Sequence, residues 1–315
     1  MLNRRQLRVK VLQTLYAYQQ ADQKEVKVFE KALLKNINSV NEMYFYMLAL
    51  LINVADYALI DAEERANKHL PSEQDLNAST KLSRNIFINY LRQHPDYLLG
   101  VKQFNVSWDF EPIIDKTIFS LLKNTPEYAA YISDDSQDLN TDKEIIKNIF
   151  RKIILKNPAI EQLFEEKFIN WSVDKEVLKS MMAKTIKNFK NEDGKGNQLA
   201  ALFQDEKEDK AFVIDLFNKS IQHADEYLKL IDEKTMNWDS ERIALMDILL
   251  MQMAIAELIH FSSIPIKVSI NEYIEISKEF STPKSNTFIN GILDKILDQL
   301  KSEKKIKKFG RGLIE

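Results

Sequence analysis

The sequence predicts an all-α fold, and three observations predict it. Glycine and proline are scarce, six and seven in 315 residues, too few for the tight turns of a sheet-rich fold or a phosphate-cradling enzyme. Lys, Glu, Leu and Ile are abundant, a composition that suits helices. Apolar residues recur at helical spacing along the chain, with no run of strict alternation that would mark a strand. At 45% hydrophobic, the chain can bury a sizeable core and is not compositionally disordered.

The elements follow in order. Asn3 caps the first helix, and Gln6 three residues on completes a capping box. Leu7, Val11, Leu12, Leu15 and Tyr18 share one face of it. Helices are expected at 26–37 and 40–68, the second strongly apolar through Met43, Phe45, Met47, Leu48, Leu50, Leu51, Ile52 and Val54. Pro71 and a polar stretch through Thr80 follow. Helical patterns resume at 82–93, 111–123, 142–155, 158–170 and 174–189. Residues 191–197, with Gly194 and Gly196, form the clearest loop.

Further helices are expected at 207–234, 240–261, 269–280 and 283–300. Trp238 to Arg242 opens the second of these, with Asp239 as its cap and Glu241 in its first turn. It is apolar nearly all round, which places it centrally in a bundle. Its most apolar run, Ile243 to Phe261, is interrupted by Asp247, Gln252 and Glu257 and reads as a core helix, not a membrane span. Pro265 follows an extended residue, and Ser269 to Glu272 reads as a capping box for the next helix. Pro283 is expected at the first position of the last helix. Gly291 inside that helix costs about 1 kcal/mol relative to Ala, so it is expected to admit another backbone closely.

The chain has no cysteine, which excludes disulfides and thiolate metal sites and fits a cytoplasmic setting. No apolar signal-peptide core follows the N-terminal arginines. His69, His94, His223 and His260 are scattered without ligand spacing and read as surface or packed side chains. Gly194-Lys195-Gly196 lacks the context of a P-loop. Glu272, Glu275 and Glu279 lie on one helical side, a solvated face by default. No catalytic nucleophile, metal site or cofactor is indicated, so the chain reads as a non-enzyme.

Charge is uneven within a net of −3. Residues 1–10 carry Arg4, Arg5, Arg8 and Lys10 and no acid. Residues 301–315 carry six basic side chains against two acids, which leaves 34 basic and 45 acidic, a net of −11, over residues 11–300. Basic ends on an acidic body suggest a localised polyanion site, with merely solvated ends as the alternative. Arg4, Arg5 and Arg8 cluster at a helix start, where they oppose the macrodipole; that cost points to an anionic ligand.

Three segments carry a family resemblance. "RRQLRVKVLQTLYAYQ" opens the chain, "IPIKVSINEYIEISKEF" and "SNTFINGILDKIL" close it, and Trp238, Arg242, Asp247, Glu257 and Leu258 supply a spacing on the helix between. In these the chain resembles the NusB transcription-antitermination family, well over residues 1–20 and about 235–300. Gln252 stands where the family commonly has Arg, and residues from about 70 to 205 have no counterpart.

The resemblance implies NusB-like helical bundles with an additional helical insertion. Residues 1–68 and 206–300 would form the core, 69–205 the insertion and 301–315 a basic tail. Either 40–68 or 209–234 would be the family's third helix. It also implies binding of boxA-type single-stranded RNA together with the ribosomal protein NusE. The pair would act in a complex with NusA, NusG and RNA polymerase to support ribosomal RNA transcription, with no membrane partner. Arg4, Arg5 and Arg8 would hold the RNA backbone. Lys284, Ser285 and Thr287 at the start of the last helix would add contacts. Phe288 would offer a stacking platform, with a plain core role as the equal alternative. By resemblance Tyr16 and Asp247 would face NusE; the alternatives are an ordinary half-buried tyrosine and a helix-surface aspartate. Two other functions compete: an RNA-binding module like the NusB-like domains of RNA methyltransferases, and a helical scaffold that binds no RNA. The methyltransferase reading is the less expected of the two for the chain as given, since no Gly-rich cofactor-binding domain is read in it.

Overall fold

A computed structural model describes residues 1–134, 136, 138–190, 196–235 and 243–313, with the backbone alone at residue 311. Among the described residues there is no strand. The helices are α1 (Arg4–Gln20), α2 (Val26–Ala66), α3 (Glu73–Leu76), α4 (Ile86–Gln93), α5 (Pro95–Phe104), α6 (Ile114–Lys123), α7 (Pro126–Ser133), α8 (Leu139–Asn148), α9 (Pro158–Lys167), α10 (Trp171–Asn188), α11 (Glu206–Gln222), α12 (Ala224–Thr235), α13 (Leu245–His260), α14 (Ile266–Phe280) and α15 (Ser285–Ser302). A π-helical turn, Ile149–Ile153, continues α8.

The expected break near residue 38 is absent, and α2 runs unbroken for 41 residues. Asn36, Asn38 and Ser39 suggest a loop, but Leu33, Ile37, Val40, Met43, Tyr44 and Met47 keep helical spacing through them and are all fully buried. Burial of that stripe outweighs the weak local preference of the polar residues. By length and composition α2 could cross a membrane, yet 78% of its most apolar window is buried inside the fold, as in a core helix. The expected helix 207–234 is two helices, α11 and α12, joined at His223. The proposed cap Asp239 with Trp238, Glu241 and Arg242, and the Gly194-Lys195 pair, lie outside the described residues.

The chain divides into two compact units: one of Met1 and Asn38–Leu202, the other of Leu2–Ile37 and Phe203–Glu315. Helix α2 thus gives its first part to one unit and the rest to the other, where the sequence reading keeps residues 1–68 together.

The first unit is built on the apolar part of α2. Tyr44, Met47, Leu48, Leu51 and Val54 are fully buried. The Tyr44 hydroxyl meets Thr185 Oγ1 and accepts from the Ala200 amide at 3.3 Å. Burial pushes that phenol well above its ordinary pKa. Trp108 Nε1 donates to the Tyr46 carbonyl at 3.0 Å. Asp142 is fully buried and satisfied: Tyr131 Oη and the Ile86 amide both donate to it at 2.6 Å. Gly100 lies so close to the Phe45 ring that any Cβ would overlap it.

In the second unit α1 packs on α11, α13 and α14, while α13 also meets α11, α12, α14 and α15. The central place expected for α13 is observed, with every residue from Leu249 to Leu258 buried. The capping box is formed: the Gln6 amide donates to Asn3 Oδ1 at 2.9 Å and the Asn3 amide to Gln6 Oε1 at 2.8 Å. Helix α14 starts after Pro265, three residues before the expected cap, and Ser269 faces inward instead of capping. Pro283 sits in the turn ahead of α15. A Cβ at Gly291 would meet nothing within 4 Å, so the close approach expected there does not occur.

Candidate nucleic-acid interface

The arginines of α1 line an open groove of about 1150 Å³ in the second unit. Helix α11 supplies Glu208, Phe212 and Asp215; the α13–α14 connection supplies Phe261, Ile264 and Pro265; α14 supplies Val268 and Glu272; the C-terminal segment adds Phe309. Each arginine already has a carboxylate. Arg4 donates to Glu208 at 2.6 Å, lies 3.3 Å from Asp209, and stacks over the Phe212 ring at 4.4 Å. Arg5 holds Glu272 through two hydrogen bonds of 3.0 and 2.9 Å.

Arg8 is a correction. It is 1% exposed and clamps Glu257 through two 2.7 Å bonds. Glu257 is fully buried and also accepts from Ser269 Oγ at 2.6 Å and Tyr273 Oη at 3.0 Å. Burial alone would lower the Arg8 pKa; the bonds and charge of Glu257 outweigh it, and the net shift is upward. Burial and the Glu257 charge push the Tyr273 phenol up as well. Arg8 therefore ties α1 to α13 and α14, with its guanidinium buried instead of offered to solvent. The dipole cost at the start of α1 is offset by the protein's own acids.

Glu272 departs from the expected solvated face for the same reason, since it takes Arg5 and lies 3.7 Å from Arg8. The sequence reading missed Glu208, Asp209, Glu257 and Tyr273 as partners of these arginines. The usable signal was Glu257 itself, an acid inside an otherwise apolar helix.

Asp247 is also corrected. It is 5% exposed and accepts from Ser281 Oγ and, at 2.7 Å, from Ser285 Oγ. It fastens the turn before α15 to α13. Ser285, 2% exposed, spends its hydroxyl there and is removed from the RNA-facing set. Lys284 and Thr287 are exposed and Phe288 is half-buried. Tyr16 is 42% exposed. Gln252 is buried and donates to the Ala224 carbonyl at 3.3 Å, bridging the break between α11 and α12.

The C-terminal basic segment packs back on the end of α13. Lys308 Nζ donates to the Phe261 carbonyl at 2.9 Å, and the Phe309 amide donates to the Ser262 carbonyl at 3.1 Å. Burial lowers the Lys308 ammonium to about 8. No group of three or more His, Cys, Asp or Glu suited to a metal occurs among the described residues.

The NusB family model matches residues 176–298. The transcription antitermination protein NusB of Salinibacter ruber is 43% identical over 103 residues, 33% of this chain and 64% of that protein. The protein of the same name from Chloroherpeton thalassium is 42% identical over 106 residues, 34% of this chain and 50% of its own. That of Natranaerobius thermophilus is 40% identical over 88 residues, 28% and 61% respectively. The chain thus spans less than two thirds of the length of these relatives. No solved structure matches it. The family match includes α11 to α14, most of α10 and most of α15, so the likeness to the NusB family lies in residues 176–298.

Proposed function

We propose that the protein is a transcription antitermination factor that binds boxA-type single-stranded RNA together with NusE. It would act in a larger complex with NusA, NusG and RNA polymerase in the cytoplasm. The observation that carries this reading is the NusB-family stretch at residues 176–298, shared with relatives named as transcription antitermination proteins. No reaction is involved; the output is affinity and scaffolding. In this reading Arg4 and Arg5, partly exposed at the mouth of the groove, leave their carboxylates for RNA phosphates. Lys284 and Thr287 at the start of α15 and Phe288 add contacts there, and Tyr16 faces NusE.

Arg4 and Arg5 exchange one anion for another, so their net gain per contact is smaller than for an unpaired arginine. Salt titration of boxA RNA binding tests the reading. Changing both to Ala should weaken binding and reduce the slope of log affinity against log salt by about 0.7 per lost phosphate contact. An unchanged slope would remove both from the interface. Tyr16→Ala should weaken NusE binding while leaving RNA binding by the isolated chain unchanged.

A further inference from the structure

The first unit holds a second groove, of about 380 Å³, that the antitermination reading does not use. One wall is α8 and its π turn, with Lys143, Lys147 and Arg151; the other is α10, with Lys179 and Lys187. Phe150 and Ile186 form an apolar floor, and exposed Ala183 sits between the two lysines of α10. Five cations therefore face one acid, Glu144, in a body that is otherwise strongly acidic.

The cations are periodic. Lys143, Lys147 and Arg151 recur every four positions on one wall; on the other, Lys179 and Lys187 stand eight positions apart with Ala183 between them. At about 1.5 Å per residue, successive cations stand about 6 Å apart on the α8 wall, close to the repeat of phosphates along a polynucleotide, and about 12 Å apart on the α10 wall. Four residues overshoot one α-helical turn by about 40°. The wider π turn takes that drift back and keeps Arg151 on the groove with Lys143 and Lys147; such turns concentrate at functional sites.

Two of the five cations are paired with carboxylates. Lys147 pairs with Glu144 at 2.8 Å and Lys179 with Glu176. Lys143 donates to the Phe189 carbonyl at 2.6 Å. Among the described residues neither Arg151 nor Lys187 has a carboxylate within ion-pair distance. Burial, together with the neighbouring Lys190 and Lys147, lowers the Lys143 ammonium, while Glu144 opposes the shift.

We propose that the groove between α8 with its π turn and α10 is a second nucleic-acid site that takes the phosphodiester backbone of single-stranded RNA. Two cationic walls accept the phosphates of one strand, and Ala183 leaves room for its sugars. The site stands independently of the boxA reading, because it uses none of that reading's residues.

The test is binding of a fluorescein-labelled oligouridylate to the full chain across a potassium chloride series. The variants are Lys147→Glu/Arg151→Glu/Lys187→Glu and the milder Arg151→Gln/Lys187→Gln. Circular dichroism melts of both check the fold, and the milder variant decides if the reversal unfolds. The triple reversal should lose roughly tenfold or more in affinity and flatten the salt slope by about 2, some 0.7 per contact. The double variant should show a smaller change in the same direction. The Arg4→Ala/Arg5→Ala chain should retain this dependence on α8 and α10, whatever its own effect. Unchanged affinity and slope in folded variants would overturn the proposal. So would a variant-sensitive affinity for inorganic tripolyphosphate or phosphatidylserine vesicles alongside unaltered RNA binding.

Discussion

At the scale of single residues, two acids of the second unit work inward. Asp247 and Glu257 both lie on α13, and both are buried. A buried carboxylate must collect donors, since leaving it unpaired costs several kcal/mol. Glu257 collects Arg8, Ser269 and Tyr273; Asp247 collects Ser281 and Ser285. Asp247→Ala should therefore destabilise the protein by about 1–3 kcal/mol, the cost of stranding buried donors. Thermal and urea unfolding measure that loss. If NusE binding fell with no change in the melt, the internal role would be wrong. Sequence could mark these acids as exceptional within an apolar helix but could not choose between a partner chain and an internal donor. That choice depends on Arg8, 249 positions away, and on serines whose direction is set by where α14 and α15 begin.

At the scale of elements, the C-terminal helices were largely legible and their ends were not. The start of α1 was readable because Asn3 and Gln6 form a purely local motif. The capping box at Ser269 was misread because Pro265 already starts α14 upstream. Helix α5 and helix α7, each with Pro at its first position, were missed because short helices give too few turns to show a period. Gly291 gives an element-level prediction. It lies within α15 with open space where a Cβ would stand, so Gly291→Ala should stabilise by about 0.5–1 kcal/mol. Denaturant unfolding would show the midpoint rise, and a fall would reveal a contact at that face.

At the scale of the whole molecule, the second unit is assembled from segments far apart in the chain. The family match starts at residue 176, yet the core it belongs to includes α1. Leu7, Val11, Leu12 and Leu15 are 0–2% exposed there and contribute roughly 1.5–3 kcal/mol each. Their sum is comparable with the roughly 5–15 kcal/mol that stabilises a typical domain. Deleting residues 1–21 should thus abolish cooperative melting of the second unit; a cooperative transition in the truncated chain would refute its dependence on α1. The groove on the first unit was not legible beforehand, because its cations come from two helices whose adjacency only the fold supplies. Helix α2 belongs to both units at once. Its amides form one uninterrupted ladder, but a hydrogen-bonded amide exchanges with solvent deuterium only as fast as the structure around it opens. Residues 26–37 should then carry the opening free energy of one unit and residues 38–66 that of the other. A single helix would record two clocks, and a ligand that slowed only one of them would identify which unit it had bound.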